Sequence, residues 1–261
     1  LEKRVERVQK NYKLTIAYDG SRYKGWQSQK NTDVTIQGKL NYIFSELDHR
    51  QVEVQGSGRT DAGVHATGQV ANVQLNVEWT PQEIMDYVNH YLPEDIGIIG
   101  IEEASARFHA RLSAEKKTYC YRIYNSSVPN VFGRKWMYGM PEPLDLVAMR
   151  QGATFLEGTH DYSAFCSHSS RKKSSIRTIY QIQIVKKENE IAIMITGNGF
   201  LHHMVRIITG TLVEVGQGKR KPEDVLRILE GGIRAQAGVT MPAKGLTLCS
   251  VEYGGKEWKN G

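Results

Sequence analysis

One order of apolar patterns occurs twice in this chain and limits the folds open to it: strand, helix, strand, strand, helix, strand. In the first half, residues 12–18 put Leu14, Ile16 and Tyr18 on one face, the period of a half-buried strand. Asp19-Gly20-Ser21 ends it with turn chemistry. Residues 34–48 place Ile36, Leu40, Ile43, Phe44 and Leu47 at helical spacing, and residues 52–55 and 69–77 read as short strands. Thr80-Pro81-Gln82-Glu83 is a capping box with proline at the first helical position. Its helix is expected to turn Ile84, Tyr87, Val88 and Tyr91 inward and to stop before Pro93, with a further strand over residues 96–102.

The second half repeats the order without repeating the sequence. Residues 117–124 are predicted as a strand and 144–156 as a helix closed by Gly158. Residues 177–186 and 190–196 read as a hairpin through Glu188-Asn189. Residues 200–215 are apolar nearly all round, the mark of a buried helix. An extra helix over 222–230 ends at Gly231-Gly232, and 246–253 supplies the last strand. The expected fold is α+β: two ferredoxin-like halves, residues 11–105 and 106–255, forming a mixed, mainly antiparallel sheet. Helices are expected on one side of it and an active-site cleft between the halves.

Between residues 51–55 and 69–77 lies Gly56-Ser57-Gly58-Arg59-Thr60-Asp61-Ala62-Gly63-Val64-His65-Ala66. Three glycines free its backbone for sharp bends, and Arg59 and Asp61 stand two residues apart between them. Asp61 is open to four readings: nucleophile, general base, metal ligand or structural ion-pair partner. A nucleophilic carboxylate has to stay ionised, which a nearby guanidinium favours. A metal site needs more oxygen ligands than the sequence gathers around Asp61. Asp19 is the other turn carboxylate similarly placed, and no Gly-Lys-Ser/Thr follows the glycines as a phosphate loop requires.

Tyr119 and Tyr121 share one face of their strand beside Lys116, Lys117 and Arg122, an arrangement suited to base stacking or to an ordinary core. His202 and His203, placed on the buried helix, are expected to diverge and so to be poor joint metal ligands. Arg206 on that helix calls for a carboxylate, with Asp61 a candidate. Basic residues recur in short clusters: Arg22 and Lys24; Arg107, His109 and Arg111; Arg134 and Lys135; Arg171, Lys172 and Lys173; Lys219, Arg220 and Lys221. With a net charge of +6 they fit a broad phosphate-tracking surface better than one helix in a groove. Residues 166–176, rich in serine and lysine, read as a mobile surface loop or an RNA-contacting lid.

No stretch of about 18 apolar residues marks a membrane span. The charged first ten residues lack the apolar region of a secretory signal. Cys120, Cys166 and Cys249 are widely spaced, without metal-ligand spacing, and are expected as free thiols in a reducing cytoplasm.

Taken together, these residues resemble the TruA family of tRNA pseudouridine synthases. Residues Gly58-Arg59-Thr60-Asp61-Ala62-Gly63-Val64-His65-Ala66 are similar to its catalytic motif. Tyr18-Asp19-Gly20, Gly25-Trp26-Gln27 and Thr35-Ile36-Gln37-Gly38 resemble its N-terminal signature. Phe108-His109-Ala110-Arg111 and Tyr119-Cys120-Tyr121-Arg122 are similar to its central region. The likeness continues in Gly158–Phe165, in Gly199-Phe200-Leu201-His202-His203-Met204-Val205-Arg206 and in Pro242-Ala243-Lys244-Gly245-Leu246.

The resemblance implies isomerisation of uridine to pseudouridine at positions 38, 39 and 40 of the tRNA anticodon arm. It further implies no cofactor, no metal, no membrane, and a cytoplasmic homodimer acting on tRNA. Asp61 would be the nucleophile, attacking the ribose C1′ or the uracil ring, and Arg59 would help extrude the base. Tyr119 would stack on the uracil, Arg206 would pair with Asp61, and Leu246 would wall the pocket. Arg22, Lys24, Arg107, His109, Arg111, Arg171, Lys172, Lys173 and His202 are expected to contact the RNA. Two competing readings are a catalytically silent RNA-binding paralogue or tRNA chaperone, and a magnesium-dependent nuclease built on Asp19 and Asp61.

Overall fold

The computed structural model describes residues 9–167 and 174–254. The described residues form two compact units: unit 1 is 9–114 with 250–254, and unit 2 is the described part of 115–249.

Unit 1 is built on β1 (Lys10–Tyr18), whose Tyr12, Leu14, Ile16 and Tyr18 are all buried. It lies between β3 (His65–Leu75) and β4 (Ile96–Ala104), antiparallel to both. Helix α1 (Ile36–Asp48) starts at Thr35, whose hydroxyl accepts from Gly38 N, and ends at His49 in the left-handed region. Its apolar face, Ile36, Leu40, Ile43, Phe44 and Leu47, is buried as the periodicity predicts.

Helix α2 (Pro81–Tyr91) opens with the complete capping box: Glu83 N donates to Thr80 Oγ1, and Thr80 N donates to Glu83 Oε2. Thr80→Ala removes one acceptor and strands a helical N–H, so unfolding free energy in a urea titration is expected to fall by about 1 kcal/mol. Ile84 and Val88 are buried, but Tyr91 is 59% exposed, contrary to the inward placement expected of it. The aromatic at the helix end instead packs against the Tyr87 ring, centroids 4.8 Å apart.

Residues 52–55 depart from expectation more sharply. Only Gln55–Gly56 (β2) pairs with β3. Val52 and Val54 are buried, but their backbone groups go to α1 rather than to a ladder. Val52 N donates to Ser45 Oγ, Val54 N to Asn41 Oδ1, and Gln37 Nε2 to Val54 O. Polar side chains on a helix thus satisfy a segment whose alternation mimics a strand.

In unit 2, β5 (Ala114–Tyr124) pairs antiparallel with β9 (Glu190–Gly197), and β9 with β8 (Ile176–Lys187). Short β6 (Tyr138–Gly139) runs parallel to the end of β5, and β7 (Gly158–Asp161) extends the sheet beyond β8. The sequence pattern contains no signal for β7, which is mostly exposed. The β8–β9 turn uses Glu188 at φ 53°. Helices α3 (Leu146–Thr154), α4 (Met204–Gly216) and α5 (Asp224–Gly231) follow, and β10 (Leu246–Tyr253) lies beside β5. Helix α4 is buried nearly throughout, but it begins at Met204, four residues later than the apolar run. The strands are mainly antiparallel and the class is α+β.

Candidate active site

The glycine-rich loop of unit 1 is held at both ends and in its middle. At its start, Gly56 opposes Ala71, and Ser57 N donates to Val70 O at 2.7 Å. The buried Ser57 hydroxyl donates to Gln69 Oε1 (2.7 Å), and Gln69 Nε2 donates to Gly58 O (3.0 Å). In the middle, the buried Thr60 hydroxyl shares a 2.8 Å hydrogen bond with Tyr18 OH, and Thr60 O accepts from Trp26 N (3.0 Å). Val64 N closes the turn on Asp61 O at 3.1 Å.

Burial pushes the Tyr18 phenol well above its ordinary range, against the lowering effect of its hydrogen bonds with Thr60 and Gln69. It therefore keeps its proton at neutral pH. Arg59 is exposed and Asp61 half-buried, one on each side of the pinned Thr60. The loop thus has a buried anchor at Thr60 flanked by Arg59 and Asp61.

Helix α1 supports the same loop through its first turn. Ile36 N donates to Gly25 O and Gln37 N to Trp26 O, so two helix-start donors hold the Gly25-Trp26 segment. Gly25 adopts φ 99°, and a Cβ there would lie 2.7 Å from Thr60 O. The Gln37 amide accepts from Gln27 Nε2 and Ser28 N while donating to Val54 O. Tyr18, Trp26, Gln37, Thr60 and Gln69 were invisible as a set to periodicity, because their partners are distant in sequence.

Asp19 is engaged in turn formation: its Oδ1 accepts from Ser21 N (2.9 Å) and Ser21 Oγ (2.6 Å). It also lies 3.1 Å from His65 Nδ1. Gly20 N–H points at that same nitrogen at 3.1 Å, which makes Nδ1 an acceptor rather than half of an ion pair.

Within unit 2 the two tyrosines divide their roles. Tyr121 is fully buried, its OH donates to Pro242 O at 2.8 Å, and Gly245 leaves room for its ring. Tyr119 instead meets Phe200 edge-on, centroids 5.2 Å apart, and keeps 8% exposure. Leu246 is buried. Arg206 is half-buried; its Nε donates to Met241 O (2.6 Å) while Met241 N donates to Arg206 O (3.2 Å), tying α4 to the segment before β10.

His202 and His203 lie ahead of α4, not on it, and this overturns the expected divergence. Left-handed backbone at His203 (φ 62°) turns the chain so that the two rings stack at 3.7 Å. Their Nδ1 atoms lie 2.7 and 2.9 Å from Ser167 Oγ.

Among the basic residues, Arg22 is paired with Asp95 at 2.6 Å, while Tyr23 OH donates to the other Asp95 oxygen. Lys24 is exposed. Arg107 and Arg111 are exposed on either side of His109, whose Nδ1 accepts from Arg111 N and Leu112 N. That segment is fastened by Asn11, which donates to Ser105 O and Phe108 O, and by Asn72, which accepts from Ala110 N. Arg171, Lys172 and Lys173 lie outside the described residues.

Residues 14–112 and 153–254 match a family model described as tRNA pseudouridine synthase. The chain is 44% identical over 243 residues to tRNA pseudouridine synthase A 2 of Bacillus anthracis, covering 93% of this chain and 99% of that one. It is 46% identical to tRNA pseudouridine synthase A of Bacillus sp. (strain KSM-64), with the same coverage. With tRNA pseudouridine synthase A 1 of Clostridium tetani it shares 44% over 244 residues, 94% of this chain and all of that one. Among solved structures, a crystal structure of a Cbf5-Nop10-Gar1 complex matches at TM-score 0.37 and 11% identity. That match covers 91% of this chain and 49% of the other.

Proposed function

Since the chain belongs to the TruA family of tRNA pseudouridine synthases, which are isomerases, we propose that it converts uridine to pseudouridine at positions 38, 39 and 40 of the tRNA anticodon arm. The observation that best supports this is the fixed presentation of Asp61: Thr60 beside it is anchored by Tyr18 and Trp26, with Gln69 holding the loop's start. A carboxylate carried on a backbone pinned in this way suits a nucleophile, because little backbone freedom is left to lose on reaching the reactive geometry.

The uridine is flipped from the stack, with Arg59 helping to extrude it. Asp61 attacks either C1′ of the ribose or the uracil ring. The N1–C1′ bond breaks, the base reorients, a C5–C1′ bond forms, and the bond to Asp61 breaks to return the free carboxylate. C5 loses its proton and N1 gains one, so the product is an isomer of the substrate. Tyr119 stacks on the uracil, Leu246 supplies an apolar wall, and Arg206 offers the carboxylate a counter-charge. Lys24, Arg107 and Arg111 hold phosphates; Arg22 contributes less because Asp95 compensates it. The enzyme works as a homodimer in the cytoplasm, where its tRNA substrates are. Mapping pseudouridines in tRNA treated with the protein tests the assignment: new modification confined to positions 38–40 supports it, and modification elsewhere refutes it.

The two tyrosines provide an internal control. Tyr119→Ala is expected to lower kcat/KM roughly 10- to 100-fold, the range of one lost base-stacking contact. Tyr121→Phe loses the hydrogen bond to Pro242 O and should cost about 1 kcal/mol of stability with catalysis near wild type. Steady-state kinetics and urea unfolding of both variants separate these outcomes.

A further inference from the structure

Strands β1 and β3 stay paired as far as Tyr18 opposite Ala66. Beyond that rung the two chains part: one enters the turn at Gly20–Arg22, and the other leads back into the Asp61 loop. His65, the first residue of β3, stands just outside the rung and is 3% exposed. Its imidazole spans the gap, with Gly20 N donating to Nδ1 at 3.1 Å. Two backbone contacts continue the closure outward. Val64 O packs where a Cβ on Gly20 would lie 1.9 Å from it, and Gly63 N donates to Tyr23 O at 3.3 Å. The turn is held from its other side too, where Asp19 N donates to Asp95 O at 2.9 Å.

A backbone N–H is an obligate donor, so the Nδ1 that receives it carries no proton, and the neutral ring keeps its proton on Nε2. Asp19 Oδ1, 3.1 Å from the same nitrogen, takes hydrogen bonds from Ser21 N and Ser21 Oγ. On the loop side, Val64 precedes His65 and donates its N–H to Asp61 O at 3.1 Å. A short path of hydrogen bonds and chain therefore runs from the Gly20 amide through His65 and Val64 to Asp61.

We propose that His65 is a positioning residue of the isomerase: its bare Nδ1 fixes the downstream arm of the loop against the turn after β1, and so sets where Asp61 stands. The claim rests on the proposed role of Asp61 as nucleophile. Thr60 is pinned on the upstream side by Tyr18 and Trp26, and His65 supplies the matching restraint downstream. Without an acceptor at this point the buried Gly20 N–H loses its partner, so the turn and the loop move to find one. A shift of about 1 Å in a reacting group costs up to 100-fold in rate.

The test compares His65→Leu, which removes the acceptor, with His65→Asn, whose side-chain oxygen is bonded to Cγ as Nδ1 is. Single-turnover isomerisation, tRNA binding, and hydrogen exchange at the Gly63 and Val64 amides are measured on each full-length protein. His65→Leu is expected to slow isomerisation roughly 10- to 100-fold at unchanged tRNA affinity and to speed exchange at both amides. His65→Asn should restore most of the rate and the protection. Nitrogen-15 NMR of the unmodified protein should show His65 protonated at Nε2 and bare at Nδ1. A protonated Nδ1 would overturn the proposal, and so would a folded His65→Leu protein with wild-type rate and exchange. An equal loss in both variants would overturn it as well. The NMR and exchange readouts need no activity, so a wild-type protein inactive on every tRNA would instead refute the proposed function.

Discussion

Asp61→Asn is expected to reduce uridine isomerisation by about 10⁴-fold or more, equivalent to at least about 5 kcal/mol of activation free energy. Asparagine matches aspartate in volume, and the hydrogen bonds of the loop through Thr60, Ser57, Gly58 and the Asp61 carbonyl do not involve the carboxylate. The loss would then report on chemistry and not on a collapsed loop. tRNA affinity, measured by filter binding, should stay close to wild type, because the residues proposed to hold the phosphates are others. Retention of substantial activity by a verified Asp61→Asn preparation would remove Asp61 from the role of nucleophile.

Gly20→Ala is expected to damage folding and activity together. Gly20 begins the 3-10 turn after β1, and a methyl group there would lie 1.9 Å from Val64 O. That contact is with backbone, so no rotamer change relieves it; either the turn or the Asp61 loop has to move. The Gly20 N–H bond to His65 Nδ1 would be displaced in the same motion. Such overpacking is expected to cost about 3 kcal/mol, seen as a lower urea midpoint. The surviving folded fraction should also isomerise uridine more slowly than wild type, because Val64 N closes the turn on Asp61 O. A variant with wild-type stability and rate would show that this packing does not position the loop.

Much of this fold can be read from local signals. Leu14, Ile16 and Tyr18 alternate where β1 runs, and Thr80-Pro81-Gln82-Glu83 starts α2 where its capping chemistry requires. What misleads is backbone satisfied from a distance. Val52 and Val54 alternate like a strand, yet Ser45, Asn41 and Gln37 take their hydrogen bonds. His202 and His203 sit in an apolar run of helical period, yet a left-handed residue ends that period before α4 begins.

The site follows the same division. As candidates, Asp61 and Arg59 stand out among glycines, Tyr119 on its strand face and Arg206 on an apolar run, and the family resemblance adds Leu246. The anchors could not be found that way. Tyr18 appears as one more core aromatic of β1, and Gln69 as a polar residue early in a strand, until the fold brings them to Thr60, Ser57 and Gly58. Likewise the ion pair of Arg22 with Asp95, 73 residues later, has no local signal and emerges only from the fold.

Tritium release from transfer RNA carrying [5-³H]uridine tests the central claim most directly, because forming a C5–C1′ bond expels the hydrogen on C5. The protein should release tritium from tRNA in the presence of excess chelator, with the RNA unchanged in length and Asp61→Asn releasing none above background. Absence of release across a complete tRNA pool, or release accompanied by RNA cleavage, would contradict the account.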